Sequence, residues 1–196
     1  MKLKICSVAL LCLFFKVAAH AQTEPVYLKV GDKMPDVEIK KIMNWNRKTA
    51  RISDFRGKMI VLDMWNSFCG SCIAGFPKLD SLQRRYKDKL QVLLVNPSSD
   101  NETVRSMKIV IDRMNSWSDK PFKLPIVFRD SIISRNFDFY GVPFSVWIGP
   151  DGTIVAIPKL GESIEANIDK VLAGEKINVT PRIINRPANA KRRAYQ

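Results

Sequence analysis

The sequence predicts an α/β domain: a central sheet covered by helices on both faces. Two apolar runs, 59–65 (MIVLDMW) and 90–95, have strand length and little alternation, as strands buried on both faces do. Between and after them, apolar residues recur three or four apart, so strands alternate with helices. A third signal is Asp151-Gly152, a hairpin turn between two short apolar segments.

The elements follow in order. Met34-Pro35-Asp36 opens an extended stretch over 37–41. A second stretch over 49–52 follows the turn-prone Asn44-Trp45-Asn46, and the two predict an edge hairpin. Residues 53–57 read as a turn. The strand over 59–65 carries a single acid, Asp63. Helical spacing starts at Cys69 and runs through Cys72, Ile73, Phe76, Leu82 and Tyr86, with Pro77 inside it as a kink. A strand over 90–95 is followed by a helix over 102–114, with Val104, Met107, Ile111 and Met114 on one stripe. A strand over 126–128 and a short helix over 132–139 come next. Strands over 144–148 and 153–157 flank the Asp151-Gly152 turn. A last amphipathic helix carries Ile164, Ile168, Val171 and Leu172 and ends at Gly174. Parallel crossovers are expected to be right-handed.

A chain of 196 residues is long enough for one well-buried core. Its 46% hydrophobic and 26% charged residues exclude wholesale disorder. The first segment is not part of that core. Lys2 and Lys4 precede a short apolar run, and Ala19 and Ala21 form an A-x-A site, so residues 1–21 read as a secretory signal. The run is about half the ~20 apolar residues that a membrane span needs. Neither Cys6 nor Cys12 follows the small residue that a lipidated Cys requires. The expected organisation is a signal over 1–21, one domain over 22–175 and a basic tail over 176–196. The expected location is beyond the inner membrane, periplasmic, without stable membrane insertion; a retained signal anchor is the alternative, since Lys16 interrupts the run.

Cleavage leaves two cysteines, Cys69 and Cys72, and no histidine. A structural zinc site and any hydrolase with a histidine base are thereby excluded. Neither metal nor cofactor is expected. The formal charge of +13 shrinks as well. Three lysines leave with the signal, and six basic residues stand from Lys176 onward with no acid after Glu175. Pro181, Pro187 and Asn189 punctuate that tail, which reads as loosely held. Nucleic acid is not an expected partner of an exported chain.

The chemistry sits in Trp65-Asn66-Ser67-Phe68-Cys69-Gly70-Ser71-Cys72, after a buried strand and at the start of a helix. Cysteines three apart at a helix start lie on one face within disulfide reach. The first sits where unpaired N–H groups and the helix dipole favour a thiolate, the form that attacks disulfides. The second lies deeper and suits the resolving role. A ring this small constrains the unfolded chain little, which argues for a redox pair over a structural staple. Asp63 between Leu62 and Met64 is either an ordinary acid at a strand end or a buried carboxyl. A buried carboxyl has a raised pKa and can take a proton from a neighbouring thiol.

These residues resemble the thioredoxin superfamily, and more narrowly its secreted thiol–disulfide oxidoreductases of the TlpA and ResA type. Asp63 lies six before Cys69, Trp65 four before it and Pro77 five after Cys72, each matching a family position. Gly141-Val142-Pro143 matches the family's cis-proline loop, and residues 30–36 and 54–58 match the N-terminal extension shared with peroxiredoxins. The likeness covers residues 30 to about 172. It implies a thioredoxin-like fold with a mixed sheet and an N-terminal β-hairpin extension. It also implies a cis Val142–Pro143 bond and a substrate surface of Val142, Pro143, Trp65 and Phe68. Gly70-Ser71, Phe68 and Phe144 depart from the commonest family residues.

The expected function is thiol–disulfide exchange or reduction by an exported, monomeric oxidoreductase. Its partners would be disulfide-bearing proteins and an electron-donor thiol protein. A peroxiredoxin-like thiol peroxidase is the first alternative, but P-x-x-x-[ST]-x-x-C would need other residues than Leu62 and Asn66. A non-catalytic binding module is the second, and the intact cysteine pair argues against it. A copper chaperone lacks the histidine ligand it would need.

Overall fold

The computed structural model describes residues 26–97 and 101–183. In chain order the elements are β1 (Glu38–Ile39), β2 (Ile42–Met43), β3 (Ala50–Arg51), β4 (Met59–Met64), α1 (Gly70–Arg85), β5 (Leu90–Pro97), α2 (Val104–Ser116), β6 (Ile126–Asp130), β7 (Phe144–Ile148), β8 (Ile154–Ala156) and α3 (Ile168–Leu172). Six strands form one sheet in the order β2-β6-β5-β4-β7-β8. β4–β5 and β5–β6 are parallel; β4–β7, β7–β8 and β2–β6 are antiparallel, so the sheet is mixed. The hairpin predicted near the N-terminus is present as β1 and β3, two residues a side. Between them β2 leaves the hairpin and caps the far edge of the main sheet.

Successive side chains of a strand point to opposite faces, and β4 divides the core accordingly. Met59 and Val61 join Phe76 of α1, Met107 of α2 and Ile168 of α3 in one layer. Ile60, Leu62 and Met64 join Ile39, Phe55 and Phe137 in the other. The α-helices therefore cover one face, which corrects the expectation of helices on both. The second face is covered by the N-terminal extension and two 3-10 turns, Ile52–Phe55 and Ser134–Asn136. Each of these fully buried apolar side chains contributes roughly 1.5–3 kcal/mol.

The short helix predicted over 132–139 shrinks to one of those turns. The Asp130 carboxylate accepts the N–H groups of Ile132, Ile133 and Ser134 at 3.1, 3.1 and 2.7 Å. A side chain that satisfies three consecutive donors replaces the helix start with a closed turn. Ile133, Phe137 and Phe139 then drop into the second core layer.

The boundary expected after residue 175 is crossed by packing. The Lys159 N–H donates to the Thr180 carbonyl, and the Arg182 N–H donates to the Ile157 carbonyl, both at 2.9 Å. Pro158 and Pro181 face each other between these bonds, and Ile177 and Val179 lie on the core. A short extended segment needs no apolar period to pair with an edge, so composition does not disclose it. The signal expected over 1–21 and residues 184–196 of the tail lie outside the described residues. Among the described residues no helix is long and apolar enough to cross a membrane.

Candidate active site

Cys69 and Cys72 form a disulfide with their Cα atoms 5.3 Å apart. Cys69 is the N-cap of α1, and its sulfur accepts the Cys72 N–H at 3.2 Å. That N–H is one of the donors a helix start leaves without a backbone partner, so it is aimed at the sulfur that would carry the thiolate. The Ser71 hydroxyl stands 3.6 Å from the same sulfur. Cys69 is partly exposed, whereas Cys72 is 4% exposed. The outer sulfur is thus the accessible one.

The loop before the pair is held by hydrogen bonds from several elements. The Trp65 N–H donates to the Val95 carbonyl at 3.0 Å, and the Asn96 amide donates back to the Trp65 carbonyl at 3.3 Å. The Asn66 side chain accepts the Phe68 N–H at 3.0 Å. Glu102, only 2% exposed, accepts the Ser67 N–H at 2.7 Å and the Ser106 hydroxyl at 3.2 Å. A buried carboxylate spent on one loop amide fixes where the chain enters α1. Glu102 was not singled out by sequence. It lies far along the chain, just ahead of the Thr103 cap of α2, and only the fold brings it to Ser67.

Asp63 shares its strand face with Val61, the face that packs α1. It lines a cleft of about 440 Å³ together with Cys72, Ser71, Pro143, Ser145 and Lys159. Removal from water pushes its carboxyl up from 3.8 to about 7. Across the β4–β7 ladder its partner is Ser145, whose hydroxyl accepts the Trp147 indole N–H at 3.1 Å.

The Val142–Pro143 bond is cis, and Pro143 lines the same cleft as Cys72. Phe68 is 73% exposed beside Cys69. Trp65 corrects its expectation: it is fully buried and meets Phe76 edge-on at 5.0 Å, so it is core rather than substrate surface. Its position one residue past β4, on the face of Val61, puts a large ring under α1. Phe144 points to the opposite layer, where it stacks on Phe139 at 5.1 Å, so its bulk is turned away from the cysteine side. Among the described residues no cluster of three or more His, Cys, Asp or Glu is arranged to hold a metal ion.

Comparison with known proteins agrees with this geometry. The Redoxin family model matches residues 29–172. The chain is 26% identical to the thiol-disulfide oxidoreductase ResA of Oceanobacillus iheyensis over 144 residues, 73% of this chain and 71% of the relative. It is 27% identical to ResA of Geobacillus kaustophilus over 149 residues, 69% of this chain and 81% of the relative. Among solved structures, a provisionally assigned Thiol:disulfide interchange protein DsbE from Chlorobium tepidum matches with a TM-score of 0.59 and 27% identity. The match covers 74% of this chain and 99% of that one.

Proposed function

Because the chain belongs to the Redoxin family, we propose that it is a thiol–disulfide oxidoreductase that reduces or exchanges protein disulfides through Cys69 and Cys72. The observation that carries this is the cysteine pair itself: a disulfide at the N-terminus of α1, its outer sulfur reachable and facing a helix N–H. ResA relatives and the DsbE-type structure carry the same activity in their names.

The reaction follows from the two positions. In the reduced chain the Cys69 thiolate attacks one sulfur of a substrate disulfide. The substrate S–S bond breaks, one substrate sulfur leaves as a thiolate that takes a proton from water, and a mixed disulfide forms. Cys72 loses its proton to the carboxylate of Asp63, which shares its cleft and holds a proton affinity matched to neutral pH. The Cys72 thiolate attacks the Cys69 sulfur and releases the second substrate thiolate. The substrate gains two electrons and the enzyme retains the Cys69–Cys72 disulfide. An electron-donor thiol protein returns the pair to its reduced state. Val142, Pro143 and exposed Phe68 form the surface on which an extended substrate segment rests. The N-terminal signal pattern supports an exported chain working on envelope or secreted proteins.

The test is reduction of insulin by the full mature chain with dithiothreitol as donor. Catalysed precipitation of the insulin B chain that is lost in Cys69→Ser is the expected result. Consumption of hydrogen peroxide with no insulin reduction would replace this reading with the peroxidase alternative.

A further inference from the structure

The carbonyl of Pro143 sits where the sheet runs out. Continuing the β7–β8 register from Trp147 opposite Ala156 brings Ser145 opposite Pro158, which has no N–H to give. The β8 ladder therefore stops short of Pro143. The carbonyl is met instead by a residue beyond the family-matched span: the Arg182 guanidinium donates to it at 2.7 Å. The same guanidinium lies over the Phe144 ring, 5.5 Å from its centroid. Arg182 is itself anchored, since its N–H donates to the Ile157 carbonyl and Pro181 faces Pro158. One segment thus ties together two stretches that line the cleft around Cys72, namely Pro143–Ser145 and Pro158–Leu160.

We propose that Arg182 is a positioning residue for disulfide exchange. By holding the Pro143 carbonyl and the Phe144 ring, it fixes the Val142–Pro143 wall against which an extended substrate peptide pairs. This rests on the reading of Cys69 and Cys72 as the exchange pair. A charge-assisted bond to a backbone carbonyl and a cation laid on a ring both act on the wall, and neither acts on the sulfurs. The role therefore belongs to capture of a peptide more than to thiol reactivity. A small disulfide, which makes no backbone pairing, needs the wall less.

The test compares insulin with 5,5′-dithiobis(2-nitrobenzoate) as substrates of the full chain, its Arg182→Ala variant and its Arg182→Lys variant. In Arg182→Ala, KM for insulin should rise about tenfold, the loss of one bond to a charged donor, with the kcat change held under about threefold. The ratio of insulin to small-disulfide kcat/KM should fall by about fivefold or more. Arg182→Lys keeps a donor but not the planar fork, so its KM should lie between the two. A KM within about twofold of the parent, or an equal fall for both disulfides, would overturn the proposal. Amide exchange in the oxidised chain supplies a readout without turnover. Residues 144–146 should exchange about tenfold faster in Arg182→Ala while β4 and β5 stay protected, which also certifies that the variant is folded. Unchanged exchange there overturns the role of Arg182. A parent chain that reduces neither disulfide, with the exchange difference intact, would remove the oxidoreductase reading and leave Arg182 as a clamp on the loop alone.

Discussion

Asp63 stands directly opposite Ser145 in the β4–β7 ladder, on the sheet face that packs α1 and Cys72. No hydrogen-bond donor among the described residues is engaged by its half-buried carboxyl, so desolvation acts on it unopposed and pushes its pKa up to about 7. The unfolded chain would release the same proton near 4. Between these values the folded state holds a proton that the unfolded state has lost. Stability therefore falls as pH rises from about 4 to about 7 and levels off above. Asp63→Asn removes the ionisation. It should be more stable than the parent at pH 8 by roughly 1–2 kcal/mol, since the half-buried carboxyl keeps part of its water, and nearly equal at pH 4.5. Urea unfolding of the oxidised chains at the two pH values measures this. An equal difference at both would mean that the carboxyl does not titrate in this window.

The same carboxyl predicts a kinetic effect on one step only. If Asp63 takes the Cys72 proton, its removal slows resolution of the mixed disulfide and leaves the first attack by Cys69 intact. Asp63→Asn should slow release of substrate at pH 7 by about 10²-fold, the usual worth of a positioned base. Stopped-flow quenching of the mixed disulfide separates the two steps. A resolution rate within a few-fold of the parent would strip Asp63 of this role.

Asp63 was legible in the sequence because a lone acid stands out inside MIVLDMW, and a period of two puts it with Val61 and Trp65. The long strands and α1 were legible for a similar reason: a buried run or an apolar stripe is several residues of agreeing evidence. β2 was not, since two residues cannot display a period and its pairing depends on the edge of β6. The helix expected over 132–139 is only the 3-10 turn Ser134–Asn136, because apolar spacing cannot anticipate that the Asp130 side chain will take three backbone donors. Glu102 and Arg182 were hidden by distance along the chain. Each meets its partner, Ser67 or Pro143, more than thirty residues away, and neither stands in a motif.

Glu102 should therefore be tested as a holder of the active-site loop. Its carboxylate is the acceptor for the Ser67 N–H two residues ahead of Cys69. Glu102→Ala leaves that donor without its partner and should cost about 1–3 kcal/mol. Glu102→Gln keeps a carbonyl oxygen of the same reach and should cost less. The Ser67 amide should exchange with solvent much faster in the alanine variant than in the glutamine one. Equal losses in both variants, in urea unfolding and in exchange, would show that the hydrogen bond to Ser67 is not what Glu102 contributes.

The order of attack is the last prediction. Cys69 is the partly exposed N-cap of α1, and its sulfur receives the Cys72 N–H; Cys72 is almost wholly enclosed. A substrate disulfide can reach the first and not the second. With Cys72→Ser, attack proceeds but no internal thiolate remains to break the mixed disulfide, so a covalent complex with substrate accumulates. With Cys69→Ser, the remaining thiol is screened from substrate and lacks that helix-start N–H, so no complex forms. Non-reducing electrophoresis after mixing each reduced variant with insulin reads the result directly. A dithiothreitol-sensitive adduct is expected for Cys72→Ser and none for Cys69→Ser, with the parent showing only a transient band. Adducts of equal yield from both variants would mean that enclosure of Cys72 does not select the nucleophile, and the assignment of the two roles would fall.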